Sequence, residues 1–137
     1  MSDPIWSPGP ARRQTANIRR FIELVRSELD PGISDYWGLY RFSIEHPRQF
    51  WRAVWDFCGI VGKPGHTVVQ DAGLMPGARW FPEARLNYAE NLLRHRDEQA
   101  ALIFRSETGE AAEYSFAELY AVVARTAHAL REAGIEP

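Results

Sequence analysis

Between Tyr36 and Phe57 the chain crowds Tyr36, Trp37, Tyr40, Phe42, Phe50, Trp51, Trp55 and Phe57 into one short stretch. An aromatic side chain can bury about 150–250 Å², so a segment this rich folds only where most of those rings find a packed surface. Pro47 suits the first turn of a helix, where its missing N–H costs nothing. Behind it, Phe50, Trp51, Val54, Trp55, Phe57 and Cys58 cover a wide helical face that runs up to Gly59. The spacing predicts a buried helix that supplies much of the segment's packing, with Cys58 as a small buried apolar side chain. An aromatic stripe can also anchor a partner. Helical spacing by itself accounts for the pattern, so the core reading is preferred.

The flanks follow from simpler signals. Ser7-Pro8-Gly9-Pro10 breaks regular structure and reads as an extended arm. Ile18, Phe21, Ile22, Val25 and Leu29 then recur at steps of three and four, the mark of one helical face, and Asp30-Pro31-Gly32 stops that helix. Arg12, Arg13, Arg19, Arg20 and Arg26 flank the stripe. With Glu23, Glu28 and Asp30 interleaved, they read as a solvated face rather than a binding patch, and the same acids argue against an organelle transit peptide. Glycines and prolines between 59 and 78 predict an internal linker, interrupted at most by a short strand at Thr67, Val68 and Val69. Gly62-Lys63-Pro64-Gly65 is not a phosphate loop, because it lacks the earlier glycine at the right spacing and the hydroxyl residue after lysine.

In the last third, Asn87 stands three residues ahead of Glu90, the spacing of a capping-box variant, and opens a short helix through Leu92 and Leu93. Ala101, Leu102, Ile103 and Phe104 form a run suited to a buried strand. Glu107-Thr108-Gly109-Glu110 turns it into a second strand ending near Phe116. Ser115 and Glu118 form another capping box. Leu119, Val122, Val123, Thr126, Ala127 and Leu130 trace a helical stripe that ends at Gly134. The fold class is α+β, with helices first and then strand, strand, helix. A hairpin with one amphipathic helix leaves a sheet face and an edge uncovered, which predicts the start of a larger α/β domain.

Composition excludes several function classes. A formal charge of −2, with basic residues scattered among acids, supplies no field to gather a nucleic-acid backbone. No run approaches the roughly 18 apolar residues of a membrane helix, and the N-terminus lacks the apolar stretch of a secretory signal. With 45% hydrophobic and 25% charged residues the chain reads as a folded, cytoplasmic protein. Cys58, the single cysteine, permits no internal disulfide, which fits a reducing compartment. His46, His66, His95 and His128 show no metal-ligand spacing with one another or with Cys58. His128 falls in the last half of the final helix, where the dipole favours a cation. No nucleophile elbow, dinucleotide fingerprint or complete phosphate loop occurs. No catalytic, cofactor-binding or metal-binding residue is assigned.

Three runs together resemble a known family. SIEHPRQFWRAVWDF (43–57) resembles the opening helix of acetyl-CoA synthetase-like enzymes. PGARWFPEARLNYAENLL (76–93) is similar to the element that follows it, and YSFAELY (114–120) to the strand-to-helix segment opening their adenylate-forming domain. Pro82-Glu83-Ala84 after Trp80-Phe81, together with the early Ile5-Trp6-Ser7-Pro8 and the Asp35-Tyr36 block, resembles the acetoacetate branch rather than the acetate or propionate one. The resemblance implies a larger enzyme of lipid and ketone-body metabolism that joins acetoacetate to CoA, using ATP and magnesium, through an acyl-adenylate. It also implies that the phosphate loop, ribose-binding aspartate, hinge and adenylation lysine lie beyond residue 137. The segment itself then binds no cofactor, and its partner is the remainder of its own adenylate-forming domain. The expected divisions are an arm and helix at 1–34, a helical extension at 35–95 and the start of the adenylate-forming domain at 96–137. A piece cut this way is expected to self-associate through its open apolar surface. The competing reading is a self-standing interaction module that docks a partner on its tryptophan-rich helix.

Overall fold

A computed structural model describes residues 5–135. The contacts divide into two units between Leu86 and Asn87.

In the first unit the arm is extended through Gly9, but Pro10 takes the first helical position of a short α1, Pro10–Gln14. Helix α2, Asn17–Glu28, is separate from it. The break falls at Thr15 and Ala16, where Ala16 turns extended (φ −65°, ψ 134°). Helix α2 ends ahead of Asp30-Pro31-Gly32, as its breakers require. The aromatic block, to which periodicity assigns no element before Pro47, begins with a helix of its own, α3, Tyr36–Glu45. Its N-cap is Asp35, whose carboxylate accepts the Gly38 N–H at 2.7 Å. His46 links α3 to α4, Pro47–Phe57, with Pro47 in the first turn.

The core of this unit is built from Phe21 and Val25 of α2, Ile33 of the loop that follows, Leu39 and Phe42 of α3, and Ala53 of α4. Phe50, Val54 and Phe57 are packed against it, half-buried. Phe21 meets Phe50 edge-on at 5.6 Å and Phe57 at 5.0 Å, geometries that aromatic quadrupoles favour. Helix α4 is therefore amphipathic rather than wholly buried: Trp51 is exposed, and Cys58 at its C-cap is exposed too. The expectation of a buried Cys58 fails: as the C-cap of α4 it keeps helical backbone angles and donates its N–H to Val54 O, but its position on the helix is exposed.

The stretch 59–78 is not a free linker. Lys63 and Arg85 exchange backbone hydrogen bonds at 2.8 and 2.9 Å. Strand β1, Val69–Gln70, pairs antiparallel with β2, Arg79–Trp80, slightly later than the strand expected at 67–69. Val69 is buried, and Phe81 donates its N–H to Val68 O at 2.8 Å. Glycine and proline content marks where the chain turns, but carries no information about the hydrogen bonds that hold the turns.

In the second unit, α5, Tyr88–Leu92, is capped by Asn87, whose side chain accepts the Glu90 N–H at 3.2 Å. Strands β3, Ala100–Arg105, and β4, Ala111–Ser115, form the expected antiparallel hairpin, with an irregularity between Ala100 and Leu102. Both pack against α6, Phe116–Glu132. The Ser115–Glu118 box is complete: Glu118 N–H donates to Ser115 Oγ at 3.2 Å, and Ser115 N–H to Glu118 Oε2 at 2.9 Å. Such a cap contributes about 1 kcal/mol. The first turn of α6 is also held by Phe116 N–H to Gln99 O and Ala117 N–H to Asp97 O, both 3.0 Å. Gly134 ends the helix at φ +80°.

The strand expected to be buried is not. Leu102, Ile103 and Phe104 are 43, 63 and 49% exposed, and no residue of α6 is buried. Among the described residues of this unit, the capping Ser115 is the buried one. A hairpin on one helix has too few layers to enclose a core.

Candidate functional site: faces left open by the fold

The four histidines are dispersed. His46 lies 5.1 Å from the Phe42 ring, His66 offers its backbone N–H to Glu83, and His95 stands at 6.1 Å from Phe116. His128 is exposed on α6. Among the described residues no three His, Cys, Asp or Glu side chains gather closely enough to hold a metal ion.

The most organised polar cluster is centred on Glu83, which the sequence offered only as one letter of a resemblance. Its carboxylate accepts the His66 N–H at 2.8 Å and the Thr67 hydroxyl at 2.7 Å. These bonds favour the ionised form. The His66 backbone N–H, followed by the Thr67 hydroxyl, holds the Glu83 carboxyl below the usual glutamate range. The cluster thus fastens the 62–67 loop to the segment after β2. It is a latch between two loop segments. No sequence periodicity predicts it, because it joins residues 16 and 17 positions apart.

A carboxylate whose folded pKa is depressed contributes stability above its unfolded pKa, and loses it as pH falls through the lower folded value. The melting temperature of the first unit is therefore expected to drop as pH is lowered below about 4.5, the ordinary glutamate value. Glu83→Gln should remove that component. Thermal melts of both proteins from pH 6 down to about 3 check this, and parallel curves would show that the latch has no energetic role.

The two units leave apolar faces open. In the first, Trp51, Val54, Trp55, Ile60, Trp80 and Phe81 line a cleft of about 320 Å³. Its rings are in contact, Trp55 with Phe81 at 4.9 Å and Trp51 with Trp80 at 5.4 Å. In the second, Leu102 and Phe104 share one side of β3 with Tyr114 opposite Leu102, while Ile103 points to the other side. Covering a side chain of this size contributes about 1.5–3 kcal/mol. These faces can bind apolar surface.

Residues 36–92 match the family described as acetyl-coenzyme A synthetase N-terminus. An acetoacetyl-coenzyme A synthetase of Rhizobium meliloti (strain 1021) is 37% identical over 96% of this chain, and an acetoacetyl-CoA synthetase of Danio rerio is 34% identical over 98%. The solved structure of acetoacetyl-CoA synthetase from Streptomyces lividans superposes with a TM-score of 0.78 at 37% identity, over 99% of this chain and 22% of that one. The chain spans about a fifth of the length of the curated relatives it matches. The chain is therefore similar along nearly its whole length to part of the acetoacetyl-CoA synthetases, and residues 36–92 carry the acetyl-coenzyme A synthetase N-terminal element.

Proposed function

We propose that the chain is the N-terminal segment of an ATP-dependent acetoacetate–CoA ligase acting in the cytoplasm, in lipid and ketone-body metabolism. The whole enzyme would join acetoacetate, ATP and CoA to give acetoacetyl-CoA, AMP and pyrophosphate. The acetoacetate carboxylate attacks the α-phosphorus of ATP and expels pyrophosphate. The CoA thiol then attacks the acyl carbonyl and expels AMP. Magnesium would neutralise the phosphates during the first step. All of these ligands belong to the rest of the enzyme, and the role of this segment is structural.

The observation that carries the reading is 37% identity to an acetoacetyl-CoA synthetase across nearly this whole chain, matched to only a fifth of that enzyme. Its physical counterpart is a second unit with open faces on β3 and no buried residue in α6. Those faces fit the remainder of the adenylate-forming domain as partner, with the divisions at 1–34, 35–95 and 96–137. Produced by itself, the segment would self-associate through the same faces.

The test is pyrophosphate release by the full-length protein, with acetoacetate compared with acetate and propionate. Acetoacetate should give kcat/KM at least about tenfold above either, the scale on which binding pockets separate related small acids. Equal rates with acetate would move the protein to the acetyl branch, and no release with any acid would end the ligase reading.

A further inference from the structure

A concavity of about 590 Å³ lies between the N-terminal arm, α1, α2 and the start of α3. Its floor is apolar, with Pro8, Ala16, Ile18 and Ile22, and the exposed rings of Trp6 and Tyr36 also line it. Arg12, Arg13, Arg19 and Arg26 complete the lining, with Glu23 and Asp35 as its acids.

The four arginines of the lining outnumber its two acids. None of the four is in an ion pair among the described residues. Arg13 donates to the Ser7 hydroxyl, and Arg12 stands over the Trp6 ring at 5.9 Å. The Asp35 carboxylate is already engaged by the Gly38 N–H. The interleaved acids that suggest a solvated face in the sequence thus leave a cationic excess over an apolar floor. Apart from Tyr36, the lining precedes the 36–92 element shared with acetyl-coenzyme A synthetases.

The combination selects among ligands. Guanidinium groups pair with carboxylates through two parallel hydrogen bonds, and an apolar floor between aromatic side chains accepts a large hydrophobic anchor. A small inorganic anion would leave the floor unused. A nucleic acid would need a wider basic surface than a chain of net charge −2 provides. We propose that this cleft docks an acidic peptide segment of a partner protein, with carboxylates on the arginines and a large apolar side chain on the Ile18–Ile22 floor.

The test uses the full-length protein and fluorescence anisotropy of a labelled peptide in which glutamates flank a central leucine. Its all-glutamine counterpart and inorganic pyrophosphate are the competing probes. The glutamate peptide should bind saturably and lose about tenfold or more in affinity to Arg19→Gln/Arg26→Gln, as expected when opposite charges are removed from an interface. Arg19→Lys/Arg26→Lys, which keeps the charge, should retain most of the binding. Far-UV circular dichroism confirms that each variant is folded, since both positions are exposed. The proposal is overturned if the glutamate peptide does not saturate, if the glutamine peptide binds equally, if both arginine variants bind like the parent, or if pyrophosphate alone occupies the site.

Discussion

Phe21→Ala is expected to remove about 3–5 kcal/mol from the stability of the first unit, the usual cost of truncating a buried phenylalanine. Phe21 is 6% exposed and sits on α2 against Phe50 and Phe57 of α4. Alanine would leave a void between two helices and also forfeit both ring contacts. Small domains are stable by about 5–15 kcal/mol in total, so the variant should lose a large fraction of its stability and melt at a clearly lower temperature. Ile18→Ala is the control on the same helix. Ile18 is 43% exposed, and its loss should cost well under half as much. Urea denaturation of the two variants measures the difference. Equal midpoints would mean that α2 does not share a core with α4.

The second large effect is expected from Gly65→Ala. Gly65 has φ +79°, a conformation that an L-residue adopts at a cost of about 1 kcal/mol or more. A Cβ there would lie 2.6 Å from Glu83 Cβ and 2.9 Å from Glu83 Oε2. The glutamate would have to move, and its bonds to His66 and Thr67 would go with it. Backbone strain and overlap together should cost about 1–3 kcal/mol, with the loss of the latch added to them. Gly109→Ala separates these contributions. Gly109 has φ +86°, yet a Cβ added there would meet nothing within 4 Å, so only the backbone cost remains. If Gly65→Ala proves no worse than Gly109→Ala in thermal melts, the close approach of loop and latch is wrong.

These two sites differ in how far the sequence exposes them. Phe21 belongs to a stripe at three- and four-residue steps, and its place in a helix face is legible from spacing alone. Gly65 is legible as a turn residue. Its proximity to Glu83 is not, because a contact across 18 positions leaves no periodic trace. The arginine-lined cleft shows the same divide. Arg12, Arg13, Arg19 and Arg26 are visible as a cluster, but the choice between a solvated face and a lined concavity depends on where the arm and Tyr36 are placed.

The local elements are legible in the residues alone: the helix after Pro47, the caps at Asn87 and Ser115, the hairpin turning at Gly109 and the α6 stop at Gly134. Each depends on backbone groups only a few residues apart, so side-chain type and spacing suffice. Tertiary structure decided how much each element buries. It placed Cys58 at the surface, tied 59–78 to the segment after β2, and left Leu102, Ile103 and Phe104 exposed. Burial depends on the presence of a facing layer, and that is set by residues distant in the chain rather than by the apolar character of the strand or helix itself.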